Sequence, residues 1–237
     1  MNKIVVIIPT YNEADNIYKI INLINDLNLN LDILVVDDNS PDGTGGIVDD
    51  IRLDNPNIFI IKQDSKSGLG TAYKKGFQWA IDNQYNKVVQ IDADLSHDPN
   101  SIPELLSNCD KYDLVVGSRY VKGINVVNWP MSRLLLSYFA NKYVRFLTRM
   151  PINDSTSGFK CIDVEVLKAI EIEKIVSQGY SFQVEVNFLA WMKKYKVKEI
   201  PIIFCDRTIG KSKMSKAIVW EAVFMVPKLA CKRIFRL

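Results

Sequence analysis

What this 237-residue chain lacks removes several classes of function at once. Its four cysteines, Cys109, Cys161, Cys205 and Cys231, are far apart, and no Cys-x-x-Cys pair occurs. That spacing argues against a zinc site or a disulfide framework and favours reduced thiols. No stretch reaches the roughly 18 uninterrupted apolar residues that a bilayer-crossing helix needs. Residues 217–230 come nearest, and Glu221, Pro227 and Lys228 interrupt them. The opening Met-Asn-Lys-Ile-Val-Val-Ile-Ile-Pro has neither the length nor the small-residue cleavage site of a signal peptide. It reads as a first strand, and a cytoplasmic location follows as an expectation. Internal repeats, low-complexity segments and recognised nucleic-acid motifs are also missing, so nucleic acid is not an expected partner.

What is present is ample apolar material and an uneven charge. The hydrophobic fraction of 48% suits a packed core and 24% charged residues is ordinary for a soluble protein. The net charge of +3 hides an asymmetry: residues 1–110 carry 8 Lys and Arg against 17 Asp and Glu, and residues 111–237 carry 22 against 10. An acidic half suits cation binding, and a basic half suits phosphates or an anionic surface.

Periodicity predicts alternating strands and helices. Strands are expected over 3–9, 31–36, 58–62, 87–91 and 114–117, with helices over 13–27, 44–53 and 69–82. Repetition of strand, helix, strand implies an α/β protein with a mostly parallel central sheet and helices on both faces. The second half is less regular, with helices expected over 129–150 and 182–195, a strand over 197–204 and a small-residue loop over 154–159. One domain is expected over 1–210, in two halves (1–110 and 111–210), followed by a basic amphipathic helical extension over 211–237.

The most telling stretch is Val88-Val89-Gln90-Ile91-Asp92-Ala93-Asp94. Strand residues i and i+2 point the same way, so a strand running to its end here aims Asp92 and Asp94 together. Two like charges held close are costly without a cation between them, and a hard divalent ion with oxygen ligands brings substrate phosphates with it. Thr10-Tyr11-Asn12-Glu13 and Asp37-Asp38 follow two other strands, on the rim where parallel sheets bind ligands. Locally, Glu13 reads equally well as a helix-start carboxylate, and Asp38 as a turn residue. Gly68-Leu69-Gly70 reads as a tight turn into a helix.

Ile8-Pro9-Thr10-Tyr11-Asn12-Glu13, Val36-Asp37-Asp38-Asn39-Ser40-Pro41-Asp42-Gly43-Thr44, Asp92-Ala93-Asp94-Leu95-Ser96-His97, Gly117-Ser118-Arg119-Tyr120 and Asp206-Arg207…Gly210-Lys211-Ser212-Lys213 occur in that order. The set resembles glycosyltransferase family 2, which has the GT-A (Rossmann-like) fold, and within it the polyprenol-phosphate (dolichol-phosphate) mannosyltransferases. The resemblance implies a metal-dependent inverting transfer of mannose from GDP-mannose to a polyprenyl phosphate. It further implies that Asp92 and Asp94 hold Mg²⁺ or Mn²⁺ on the donor diphosphate, and that Pro9, Tyr11, Glu13, Val36, Asp38 and Ala93 line the nucleotide. Arg119, Arg207 and Lys213 are implied to contact the donor diphosphate or the acceptor phosphate, and Arg133 with Ser137 to form an acceptor-phosphate pair. Some family members carry a metal-ligating Gln where this chain has Ser96, so Ser96 or a water is left to complete the metal's protein ligands. His97, the only histidine, is expected to be structural, because an ionised phosphate acceptor needs no general base.

Two readings compete with this one: a UDP-glucose-dependent transferase of the same fold, and a nucleotide-sugar-binding regulator without turnover. From residue 211 onward seven basic residues accompany one acid, Glu221, among Trp220, Phe224, Met225, Leu229, Ile234 and Phe235. Such a tail can lie on an anionic membrane surface, giving peripheral attachment at the cytoplasmic face. It can equally pack on the protein or on a small membrane-anchoring subunit.

Overall fold

Runs of Ile and Val build the centre of the molecule, because branched side chains suit strands buried on both faces. The computed structural model describes residues 2–206 and 216–235. β1 (Ile4–Thr10), β2 (Asp32–Asp37), β3 (Ile58–Lys62) and β4 (Lys87–Gln90) are joined by α1 (Ala14–Asn25), α2 (Thr44–Leu53) and α3 (Leu69–Asp82). After α4 (Ile102–Asn108) come β5 (Leu114–Ser118), β6 (Val126–Val127), α5 (Met131–Thr148), β7 (Lys160–Asp163), α6 (Val164–Ala169), α7 (Gly179–Met192), β8 (Val197–Pro201), β9 (Phe204–Cys205) and α8 (Lys216–Phe235).

Seven strands form one sheet in the order β3-β2-β1-β4-β7-β5-β8, and β6 pairs with β9. All neighbours in the large sheet are parallel except β7, which runs antiparallel to both β4 and β5. The expected α/β class, mostly parallel sheet and C-terminal helix are therefore all present. Strands from beyond residue 110 extend the sheet that the first four begin.

Each face of the sheet is covered by helices. Ile17, Ile20, Ile21 and Ile24 of α1 recur at helical spacing and are buried with Val48 of α2 and Ile102 and Leu105 of α4. Burying one such side chain contributes about 1.5–3 kcal/mol. Ala72, Tyr73 and Phe77 of α3 cover the opposite face with Phe182 and Val186 of α7. Gly76 is required there, since a Cβ would lie 2.8 Å from Ile7 Cγ2. A third cluster joins Val144 of α5, Val184 and Phe188 of α7, and Val226 and Leu229 of α8. The extension is thus packed on the protein along one side, while Phe224 and Ile234 are exposed.

Three boundaries differ from expectation. The strand expected over 87–91 ends at Gln90, so Asp92 and Asp94 stand in the loop after it, not on the strand. The run over 197–204 breaks at Pro201, which supplies no N–H, and Phe204 pairs elsewhere with β6. The helix over 129–150 forms as α5, yet its buried residues are only Asn141, Val144 and Thr148; Leu135 and Phe139 face outward. Among the described residues no helix is long and apolar enough to cross a membrane.

Candidate active site

The C-terminal ends of β1, β2 and β4 open on one rim. Thr10 and Asp37 are register partners, and Thr10 Oγ1 donates to Asp37 Oδ1 at 2.8 Å. Ser40 Oγ donates to the same oxygen at 2.6 Å, so Asp37 is spent on shaping the turn. Asp38 is buried and holds the following loop: Oδ1 accepts from Gln63 Nε2 (2.9 Å) and Ser67 N (2.7 Å), and Oδ2 from Gly68 N (2.8 Å). Glu13 stands at the start of α1, where Oε2 accepts from Asn16 Nδ2 at 2.9 Å. Tyr11 is half-buried, with Lys66 Nζ 3.7 Å from its ring centroid. Pro9, Val36 and Ala93 are buried, Val36 toward Gly76 in the α3-side core, so they back the rim.

Asp92 and Asp94 share one environment around the Tyr73 hydroxyl. Tyr73 Oη lies 3.4 Å from Asp92 Oδ1, and burial, then the Asp92 and Asp94 carboxylates, push the phenol well above its ordinary pKa. Asp94 is oriented by Ser96, whose N and Oγ donate to Oδ1 at 3.1 and 2.5 Å. The Asp92 side chain is 36% exposed. A Cβ on Gly158 would stand 3.5 Å from both Asp92 oxygens, so the 154–159 loop crosses close to the pair. His97 packs between Phe159 and Phe204, ring centroids 5.1 and 5.0 Å away, and Nδ1 lies 4.0 Å from Asp92 Oδ2. Burial holds it neutral, pushed down to about 4.

The donor set fits a hard cation in part. Among the described residues no group of three His, Cys, Asp or Glu could enclose a metal. Two convergent carboxylates leave the remaining positions of a Mg²⁺-like ion for phosphate oxygens and water, the usual arrangement for such ions on nucleotides.

Across the 154–159 loop lies the cationic side. Arg119 is buried, and its Nε and Nη2 each lie 2.6 Å from an Asp154 oxygen while Nη2 also donates to Thr156 Oγ1 at 2.8 Å. Arg133 stacks 4.3 Å from the Trp129 ring and pairs with Asp206 at 2.7 Å. Ser137, one turn along α5, accepts from Tyr120 Oη at 2.8 Å. Arg119, Arg133, Ser137 and Thr156 line the polar part of a cavity of about 350 Å³, and Val144, Val184 and Val226 belong to its apolar wall. α5, α7 and α8 all contribute to that wall. An apolar recess beside two guanidinium groups can seat a phosphate with a hydrocarbon tail.

Of the residues predicted from sequence, Asp92, Asp94 and Ser96 are together, and Arg119, Arg133 and Ser137 are together; Arg207 and Lys213 lie outside the described residues. Asp154, Tyr73 and Trp129 were missed as site residues. The only signal for Asp154 is a single acid opening a run of small residues, Ser155-Thr156-Ser157-Gly158.

Comparison with known proteins gives a consistent picture. The Glycosyl transferase family 2 profile matches residues 5–171. The chain is similar to a polyprenol monophosphomannose synthase of Mycolicibacterium smegmatis, 44% identical over 93% of this chain and 84% of that protein. It is also similar to an undecaprenyl-phosphate mannosyltransferase of Micrococcus luteus, 39% identical over 95% of this chain and 93% of that one. The fold matches that of glucosyl-3-phosphoglycerate synthase from Mycobacterium tuberculosis, solved with Mn²⁺, UDP and glucosyl-3-phosphoglycerate. The TM-score is 0.69 at 16% identity, covering 98% of this chain and 80% of that one.

Proposed function

This chain belongs to glycosyl transferase family 2 and is a glycosyltransferase, and we propose that it moves mannose from GDP-mannose to a polyprenyl phosphate with inversion. One observation carries the acceptor: the cavity of about 350 Å³ joins an apolar wall to Arg119, Arg133 and Ser137. The names of both mannosyltransferase relatives support the sugar and the lipid.

In the proposed reaction a phosphate oxygen of the acceptor attacks the anomeric carbon. The bond from that carbon to the donor's β-phosphate oxygen breaks, and GDP leaves. The acceptor is already ionised near neutral pH, so no side chain has to take a proton from it. Arg133 and Ser137 hold the acceptor phosphate, Arg119, fixed in place by Asp154, offers its remaining N–H groups to a phosphate of donor or acceptor, and Asp38, Glu13 and Tyr11 shape the nucleotide's berth. Arg207 and Lys213 are proposed to add phosphate contacts. Mg²⁺ or Mn²⁺ held by Asp92 and Asp94, with Ser96 orienting Asp94, would supply Lewis-acid neutralisation of the departing diphosphate. Residues 1–110 then serve mainly the donor, and 111–210 the acceptor.

Attachment is proposed to be peripheral, at a cytoplasmic membrane face. Met131, Leu135, Phe139 and Phe146 are exposed along α5, and Lys142, Arg145 and Arg149 accompany them. Such a helix suits an anionic interface.

The test is to incubate the protein with labelled GDP-mannose or UDP-glucose and a short polyprenyl phosphate, with and without Mn²⁺. Label is expected in the lipid from GDP-mannose only. Label from UDP-glucose alone would select the glucosyl reading, and nucleotide binding without transfer would leave a regulator.

A further inference from the structure

α3 begins without a cap of its own. Its N-cap is Gly68, at φ +89°, which has no side chain to satisfy the free N–H groups of the first turn. Gln178, far along the chain, fills that place: its Oε1 accepts from Gly70 N at 3.0 Å, and its Nε2 donates to Thr71 Oγ1 at 3.2 Å. The approach is so close that a Cβ on Gly70 would lie 2.7 Å from Ser177 O and 2.8 Å from Gln178 Oε1. This explains the second glycine of Gly68-Leu69-Gly70. Lys74 Nζ donates to Ile175 O at 2.9 Å, a further tie between α3 and the same segment.

The main chain of Gln178 faces the other way. Its N–H donates to Glu221 Oε1 of α8 at 2.7 Å, a charge-assisted bond. α8 supplies Val223 and Val226 to the cavity wall, and Tyr143 Oη of α5 donates to Val223 O at 3.1 Å. On the α3 side, the Ser67 and Gly68 amides that lead into the helix are held by Asp38. One residue therefore stands between the loop that Asp38 organises and the helix that closes the acceptor cavity.

We propose that Gln178 is a positioning residue that locks the donor loop to α8, so that nucleotide binding and seating of the acceptor wall favour one another. The inference rests on the donor and acceptor sites proposed above. A nucleotide that orders residues 63–68 steadies the first turn of α3, and with it the Gln178 amide. The Gln178 N–H then holds Glu221 and α8 in place for the lipid. By linkage, lipid in the cavity tightens nucleotide binding by the same factor.

The test uses the full-length protein, GDP and a short-chain polyprenyl monophosphate in one detergent. Calorimetry should find GDP bound about fivefold more tightly when the lipid is present, a typical coupling factor. Hydrogen exchange of the α8 amides should slow when GDP alone is added. Gln178→Ala should keep each ligand's separate affinity within about threefold and bring the coupling factor close to one. Glu221→Ala removes the contact from the other side and should do the same, even if the first variant folds poorly. Coupling that survives in both variants overturns the proposal, as does a wild-type protein that binds both ligands independently. A wild-type protein that binds neither ligand instead defeats the donor and acceptor sites themselves, and this inference with them.

Discussion

Arg119 and Asp154 meet as a two-pronged buried pair, with Nε and Nη2 each 2.6 Å from a carboxylate oxygen and the Arg119 N–H donating to the same residue at 2.9 Å. Burial alone would push the guanidinium down, but the Asp154 carboxylate overrides it and holds the group above its ordinary value. Removing one partner of such a pair leaves an uncompensated charge. Asp154→Ala should therefore cost about 3–5 kcal/mol of stability in urea unfolding, together with transfer activity. A loss under about 1 kcal/mol would mean that water reaches the guanidinium.

The two residues around the acidic tip should separate by degree. Asp94→Ala removes a proposed metal carboxylate and should abolish Mn²⁺-dependent transfer in a folded protein. Ser96→Ala removes only the hydroxyl that orients Asp94, and should weaken Mn²⁺ activation by about 10–100-fold. Manganese titrations of both variants measure this, and near-normal transfer by Asp94→Ala sinks the metal assignment.

Asp38 accepts from two main-chain amides, so its loss is felt by the loop. Asp38→Ala leaves the Ser67 and Gly68 amides without their protein acceptor, at about 0.5–1.5 kcal/mol each, since neither residue is buried away from water. The KM for GDP-mannose should rise more than kcat falls. An unchanged KM would remove the 63–68 loop from the donor site.

Lys160 gives the molecule a pH signature. It is fully buried, with Nζ 2.8 Å from Asn187 Oδ1, and burial, partly offset by Asp154, pushes it down to about 7 from 10.5. Between those values the unfolded chain keeps a proton that the folded chain has shed. Stability should thus climb as pH rises above about 7, by up to about 1.4 kcal/mol per unit from this group. Below pH 7 both states are protonated and the slope vanishes. Urea unfolding at pH 6.5, 7.5 and 8.5 should give the wild type a steeper gain than Lys160→Met; parallel slopes would return Lys160 to its ordinary range.

Membrane attachment should depend on α5 as well as on the C-terminal helix. Leu135 and Phe146 are 47% and 67% exposed, so changing both to Ser should leave the fold intact. Binding to anionic vesicles is expected to fall by about tenfold, consistent with about 1.4 kcal/mol of lost apolar burial. Truncation after Pro227 should weaken it separately. Full vesicle binding by the Leu135/Phe146 double variant would assign α5 to a protein contact.

Periodicity made the first half legible because its strands and helices are long and each bears one clear pattern. Ile17, Ile20, Ile21 and Ile24 could hardly be anything but an inward helix face. Lys160-Cys161-Ile162-Asp163 could not be read as a strand: a charged residue at each end leaves only Cys161 and Ile162 as an apolar pair, and its antiparallel partners are supplied by distant β4 and β5. The same patterning found α5 but not which side met solvent, since an apolar stripe looks alike whether protein or membrane covers it. Acidic residues at strand ends pointed to the rim, whereas Asp154 acquires its meaning only by meeting Arg119, 35 positions earlier.

The recess beside Arg133 is far smaller than a long isoprenoid tail, at about 350 Å³. On the proposed reaction it grips the head of the acceptor and the units next to it, and the rest of the hydrocarbon stays in the bilayer. Selection then acts on the first few carbons after the phosphate. Acceptors of very different length should serve as equals once embedded in the same leaflet.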